Sequence, residues 1–264
     1  MKRIEKTFAK LKSNDKKGLV TFITAGDPSL EQSATILNAL PQSGADFIEI
    51  GMPFTDPMAD GPAIQDSSLR ALANGMSLKG VIKMVAEFRE SNQDTPIILM
   101  GYFNPIYTYG TEDFVNDAAD AGADGLIIVD LPPEEDAELR VPATKAGLDF
   151  IKLLTPTTKG ARLDTVLQNA SGFLYYVSIA GVTGTKSANI DEVGAHIKDI
   201  KAKTDLPVAV GFGIKTPEDA ANMSKIADAV VVGSSIVQNM QDNQKDSNLP
   251  TIIENQVSAL KKAI

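Results

Sequence analysis

Eight short apolar runs alternating with amphipathic helical stretches predict an α/β fold, and a strand-entrance pattern that recurs along the chain points to a single (β/α)8 TIM barrel with an extra N-terminal helix. The runs are nearly continuous in apolar residues, as parallel strands covered on both faces require. The recurring pattern is a helix end, an Asp and a strand: "SGADFIEIG", "AGADGLIIVD", "AGLDFIKLL" and "KIADAVVVGS". No Pro/Gly/Ser-rich linker divides the chain, so residues 1–264 read as one barrel domain. A doubly wound open sheet with fewer strands is the structural alternative.

The chain opens on "RIEKTFAKL", where Ile4, Phe8 and Leu11 fall at helical spacing; this is the extra helix packed on the barrel. The strands follow as "LVTFIT" (19–24), "DFIEIG" (46–51), "PIILMGY" (96–102), "GLIIVD" (125–130), "FIKLL" (150–154), "FLYYVS" (173–178), "PVAVGF" (207–212) and "AVVVGS" (229–234). Between them "LEQSATILNAL", "PAIQDSSLRALANG", "LKGVIKMVAEFRE", "TEDFVNDAADA", "EDAELRVPATKA", "GARLDTVLQNA", "NIDEVGAHIKDIKAK" and "TPEDAANMSKI" read as helices, with "TIIENQVSALKKAI" closing the chain.

Composition narrows the chemistry. The 264 residues contain no cysteine and one histidine, His196, which excludes disulfides, thiol nucleophiles and the usual zinc ligand sets. His196 falls on a helix that reads as exposed, so acid-base work passes to carboxylates, lysine or tyrosine. A net charge of −9 without basic runs argues against nucleic-acid or anionic-membrane partners. The N-terminal "MKRIEKTFAKLKS" lacks the apolar core of a signal peptide and no apolar run approaches membrane-span length, so a soluble, cytoplasmic protein is expected.

Two carboxylates stand out in "IEIGMPFTDPMADGPAIQ" (48–65). Strand alternation puts Phe47 and Glu49 on one face and Ile48 and Ile50 on the other; with the isoleucines against the outer helices, Glu49 points into the barrel near its C-terminal mouth. An unpaired carboxylate there is costly or takes up a proton. Asp60 ends a loop stiffened by Pro53, Pro57 and Pro62, and reads either as a site residue or as a turn or N-cap residue before the next helix. Two acids at one mouth can take opposed proton roles when their surroundings separate their pKa values.

Glycines follow the last three strands in "AGVTGTK" (180–186), "GFG" (211–213) and "GSS" (233–235), where barrel enzymes build phosphate sites from loop amides and a helix N-terminus. Neither a dinucleotide fingerprint nor a Walker A loop is present. Gly181 and Gly184 are placed to hinge a lid carrying Thr183 toward the acids.

In the blocks "FITAGDP", "IEIGMPFTDPMADGPAIQ", "GYFNPIYTYG", "DGLIIVDLPPEE", "YYVSIAGVTG", "VGFGI" and "ADAVVVGSSIV" the chain resembles the tryptophan synthase α-subunit family over nearly its whole length. The resemblance implies a (β/α)8 barrel that cleaves indole-3-glycerol phosphate reversibly to indole and glyceraldehyde 3-phosphate. It assigns the proton transfers to Glu49 and the indole N–H to Asp60. Gly184, Gly213, Gly233 and Ser234 align with its phosphate loops, Phe22, Met100, Ile127 and Tyr175 with the indole wall, and Tyr175 is placed to orient Glu49. It implies no metal or organic cofactor in this chain, and a pyridoxal-phosphate β partner in an α2β2 assembly, met through loop residues Pro53, Asp56, Asn104, Pro105 and Tyr107. Departures are Met52, Thr55 and Ile179, the last where some members carry arginine. Asp130, at the end of the fourth strand, reads as a loop cap. A stand-alone lyase, a binding subunit without turnover and a related phosphate barrel are the rival readings.

Overall fold

Every strand position expected from the sequence is present in a computed structural model that describes residues 1–177, 190–211 and 213–264. The chain runs α1 (Arg3–Ser13), β1 (Gly18–Thr24), α2 (Leu30–Ser43), β2 (Phe47–Gly51), α3 (Pro62–Ala73), α4 (Leu78–Ser91), β3 (Ile97–Gly101). It continues α5 (Phe103–Tyr109), α6 (Thr111–Asp120), β4 (Gly125–Ile128), α7 (Ala137–Lys145), β5 (Asp149–Phe150), β6 (Lys152–Leu154), α8 (Ala161–Leu167), β7 (Leu174–Val177). The last third holds α9 (Ile190–Lys201), β8 (Val208–Gly211), α10 (Pro217–Ser224), β9 (Ala229–Val232), α11 (Ser234–Asp242) and α12 (Leu249–Lys262).

All described strand pairs are parallel, in the order β5-β4-β3-β2-β1-β9-β8-β7-β6. The two ends of that order, β5 and β6, are separated in the chain by Ile151 alone, whose N–H donates to the Leu126 carbonyl at 3.0 Å. They are one interrupted strand, the expected "FIKLL", and the sheet closes through it into a barrel of eight strand positions.

Side-chain alternation divides the apolar residues into two bodies. Ile48, Ile50, Leu99 and Val230 face outward into the cluster shared with the helices, while Val20, Phe47, Ile98, Ile127 and Val231 fill the barrel interior. Helix α1 closes the bottom: Ile4, Phe8 and Leu11 are buried, and the Phe8 ring packs 4.5 Å from Phe47 and 5.8 Å from Phe173. Each of the three contributes about 1.5–3 kcal/mol by burial. With the bottom plugged, the C-terminal mouth is the open end.

The recurring strand-entrance Asp has a physical cause. Asp46 donates its N–H to the Leu19 carbonyl at 2.9 Å and accepts the Leu19 N–H on its carboxylate at 2.8 Å. Asp124 makes the same reciprocal pair with Ile97, and Asp228 with Val208. The side chain thus satisfies the N–H that a neighbouring strand leaves unpaired where it starts. Each carboxylate is also matched by a cation: Asp46 by Lys261, Asp124 by Arg89 and Arg3, Asp228 by Lys201, and the related Asp149 by Lys2.

Two local expectations are corrected. "FNPIYTY", read as loop, is helix α5. Pro105 lies in its first turn, where a missing N–H costs nothing, and Asp130 accepts the Phe103 N–H at 2.8 Å to start it, in keeping with its reading as a cap. His196 is half-buried rather than on the open surface, and its Nδ1 lies 2.7 Å from the Tyr176 hydroxyl, pinning α9 to β7. Among the described residues no helix is long and apolar enough to cross a membrane.

Candidate active site

Glu49 occupies the middle of β2, level with Phe22 on β1 and Ile98 on β3. As the alternation requires, its side chain shares the inner face with Phe47. The residue is 0% exposed, and among the described residues neither carboxylate oxygen has a hydrogen-bond partner. Burial pushes its carboxyl up to about 8, because nothing replaces the lost hydration of the charged form. At neutral pH the group is mainly protonated, yet close enough to its pKa to ionise during a reaction.

Asp60 reaches the same mouth by a different route. The chain leaves β2 with the Met52 N–H bonded to the Met100 carbonyl at 2.8 Å, then turns back through Pro53 and Pro57. Gly61, not Asp60, is the N-cap of α3, with Pro62 at the first helical position. The Asp60 carboxylate instead accepts the Tyr102 hydroxyl at 3.1 Å, and that hydroxyl accepts the Ala59 N–H at 3.0 Å. Burial pushes Asp60 above the usual carboxylate range and the Tyr102 hydrogen bond partly opposes this. Helix α3, which begins just beyond, is fixed to β1 and the turn after it: Ser67 lies 2.6 Å from Thr24, and Arg70 makes two hydrogen bonds to the buried Asp27, at 2.6 and 3.1 Å.

Tyr102 was not singled out by sequence reasoning. The signal was nonetheless present, because Ile98, Met100 and Tyr102 continue one period-2 series past the strand end.

Tyr175 is half-buried on the inner face of β7. Burial, then the charges of Glu49 and Asp60, hold its phenol well above the ordinary value, so it stays protonated. Its hydroxyl lies against the Cα of Gly211, in space that any larger residue there would fill. Phe22 and Met100 line the cavity beside Asp60, together with Thr24, Met52 and Tyr102. Ile127 is fully buried in the inner cluster. A second cavity, of about 480 Å³, opens over β4 to β6 beside Asp130, Thr155 and Arg162.

Gly213 and Gly233 follow the neighbouring strands β8 and β9. Gly213 has φ +74°, and no atom of the described residues lies within 4 Å of where a Cβ would sit, so its left-handed backbone is what favours glycine. Gly233 is the N-cap of α11 and Ser234 its first residue; the first amides of a helix have no intrahelical acceptor and suit an anion. Gly184 and Thr183, with Gly181 and Ile179, lie outside the described residues.

Asp56 is exposed on the β2–α3 loop with Pro53 half-buried beside it, and Asn104 and Tyr107 are exposed on α5, Tyr107 at 62%, with Pro105 half-buried. Among the described residues no group of three or more His, Cys, Asp or Glu could hold a metal ion.

A (β/α)8 barrel plugged at one end and carrying two carboxylates raised by burial at the other defines a barrel enzyme. Residues 8–264 match the family model described as tryptophan synthase alpha chain. The fold is close to that of tryptophan synthase subunit alpha from Legionella pneumophila str. Paris, at 43% identity and TM-score 0.94 over 100% of this chain and 98% of that one. Tryptophan synthase from M. tuberculosis in its aminoacrylate-bound form matches at 28% identity and TM-score 0.89, over 100% of both chains. The tryptophan synthase complex from Pyrococcus furiosus matches at 34% identity and TM-score 0.82, over 92% of this chain and 97% of that chain. The chain belongs to the tryptophan synthase alpha chain family. It is a carbon–carbon lyase of tryptophan biosynthesis, cleaving indole-3-glycerol phosphate to indole and glyceraldehyde 3-phosphate.

Proposed function

We propose that Glu49 carries both proton transfers of this retro-aldol cleavage and that Asp60 holds the indole ring for them. Protonated Glu49 gives its proton to indole C3, producing an indolenine whose positive charge Asp60 stabilises by accepting the ring N–H. The Glu49 carboxylate then takes the proton from the glycerol hydroxyl next to the bond that breaks. The C–C electron pair returns to the ring, indole leaves, and the aldehyde of glyceraldehyde 3-phosphate forms with Glu49 protonated again. The protonated ring serves as the electron acceptor, so this chain would need no organic cofactor. The observation that carries the reading is the fully buried Glu49 carboxylate, which has no hydrogen-bond partner among the described residues and is poised near 8 at the mouth.

Phe22, Met100, Ile127 and Tyr175 would wall the indole, with Tyr175 donating toward Glu49. The substrate phosphate would rest on the amides of Gly213, Gly233 and Ser234, joined by Gly184, with Thr183 on a lid. The chain is proposed to work in the cytoplasm as one barrel domain that passes indole to a β subunit in an α2β2 assembly, the pyridoxal phosphate belonging to that partner. Pro53, Asp56, Asn104, Pro105 and Tyr107 are the proposed contact; the exposed Tyr107 beside the mouth supports it.

Indole release from indole-3-glycerol phosphate by the purified chain, alone and with a stoichiometric β subunit, tests the assembly. A slow solitary rate raised strongly by the partner is expected. A fast rate indifferent to the partner would identify a stand-alone lyase instead.

A further inference from the structure

Asp60 is held from outside its own loop. The Tyr102 hydroxyl donates to the Asp60 carboxylate at 3.1 Å and accepts the Ala59 N–H at 3.0 Å, while the Tyr102 ring packs 5.5 Å from Phe54. The loop is therefore gripped at its ring, its backbone and its acid by one side chain that is 3% exposed. Tyr102 is also the N-cap residue of α5, and the next residue, Phe103, is anchored through its N–H to Asp130 at 2.8 Å. Asp60, Tyr102, α5 and Asp130 thus form a continuous chain across the connections after β2, β3 and β4. On its outer side α5 carries the exposed Asn104 and Tyr107.

We propose that Tyr102 is a positioning residue that ties Asp60 to helix α5, so that the seat of this helix sets the seat of the Asp60 carboxylate. The inference rests on the reading of Asp60 as the acceptor of the ring N–H. A carboxylate that must accept that proton needs one of its oxygens already oriented and its charge retained, and a hydroxyl donor supplies both. Among the described residues the titratable groups around the pair are Asp130 at the end of β4 and Tyr175 on β7, whose phenol is raised by the charges of both Asp60 and Glu49. These are carboxyls and a phenol, so the Tyr102 proton is a main source of support for the ionised acid.

The test compares Tyr102→Phe, which keeps the ring and removes the hydroxyl, with Asp60→Asn, reading kcat and KM for indole-3-glycerol phosphate across pH. Losing one hydrogen bond to a carboxylate should lower kcat about tenfold with KM within about twofold, and move the acid limb of kcat up by about one pH unit. The coupling to α5 is read with Asp130→Ala, which frees the Phe103 N–H: it should lower kcat in the parent and add nothing in Tyr102→Phe. A Tyr102→Phe enzyme that is less heat-stable but has the parental pH profile overturns the positioning role while an inactive Asp60→Asn leaves Asp60 in place. Full additivity of Asp130→Ala and Tyr102→Phe overturns the link to α5. An Asp60→Asn enzyme with parental turnover would sink the role of Asp60 and this inference together.

Discussion

The hydroxyl of Tyr175 occupies the space that a Cβ on Gly211 would need. One strand, β7, carries the phenol on the inner face of the barrel, and the next, β8, stays bare so that it fits. Gly211 therefore ends its strand for a steric reason, with Val177 and Val231 as its register neighbours.

Gly211→Ala should displace the Tyr175 ring from its place against β8. The expected result is a fall in kcat of about tenfold to a hundredfold, the scale set by misplacing a site group by about 1 Å, with only a small change in thermal stability. Steady-state kinetics and a melting curve on the same preparation check it; unchanged kcat would mean that Tyr175 does not need this position.

The opposite end of the barrel should behave in the reverse way. Asp124 is buried with Arg89, accepts the Ile97 N–H and also meets Arg3. Asp124→Ala strands a buried guanidinium and a strand N–H, and should cost about 3–5 kcal/mol of stability. Turnover per folded molecule should stay parental, since bottom-face residues of a barrel support the fold rather than the chemistry. Denaturant unfolding and an activity assay below the transition give both numbers.

Glu49 is a stability liability whose size depends on pH. Its pKa is raised by burial to about 8, above that of the unfolded chain, so between the two values the native state holds a proton that the unfolded state has lost. This penalty is absent below the unfolded pKa near 4.5 and is complete once pH has risen through about 8. Glu49→Gln removes this dependence, so its stability relative to the parent should grow from pH 5 to pH 8, by up to a few kcal/mol. Melting curves of the two proteins across that range test it, and a constant difference would contradict a protonated Glu49 in the native state.

The barrel was legible because its signals are local. Apolar runs mark strands, and the repeated Asp before four of them reports a hydrogen bond that several strand starts require. Glu49 was legible for the same reason, as a charged residue on the inner face of an otherwise apolar strand. What was hidden depends on distant contacts. That Asp60 bonds to Tyr102 rather than capping α3 follows from how the β2–α3 loop folds over the end of β3, and no spacing within the loop carries that information. Helix α5 was read as a loop because Pro105 and Gly110 look like breakers, while the cap that starts it comes from Asp130, 27 residues from Phe103. His196 looked exposed because its helix is polar, and only packing brings Tyr176 to it.

The most direct measurement is single-turnover indole release by Glu49→Gln, made beside its equilibrium affinity for indole-3-glycerol phosphate. Glutamine keeps the shape of the side chain and can neither give nor take the proton. A loss of about a thousandfold or more in the rate, with affinity within about threefold of the parent, is the result predicted for an acid-base residue. Indole release near the parental rate would contradict the account, because the proton transfers would then belong to another group.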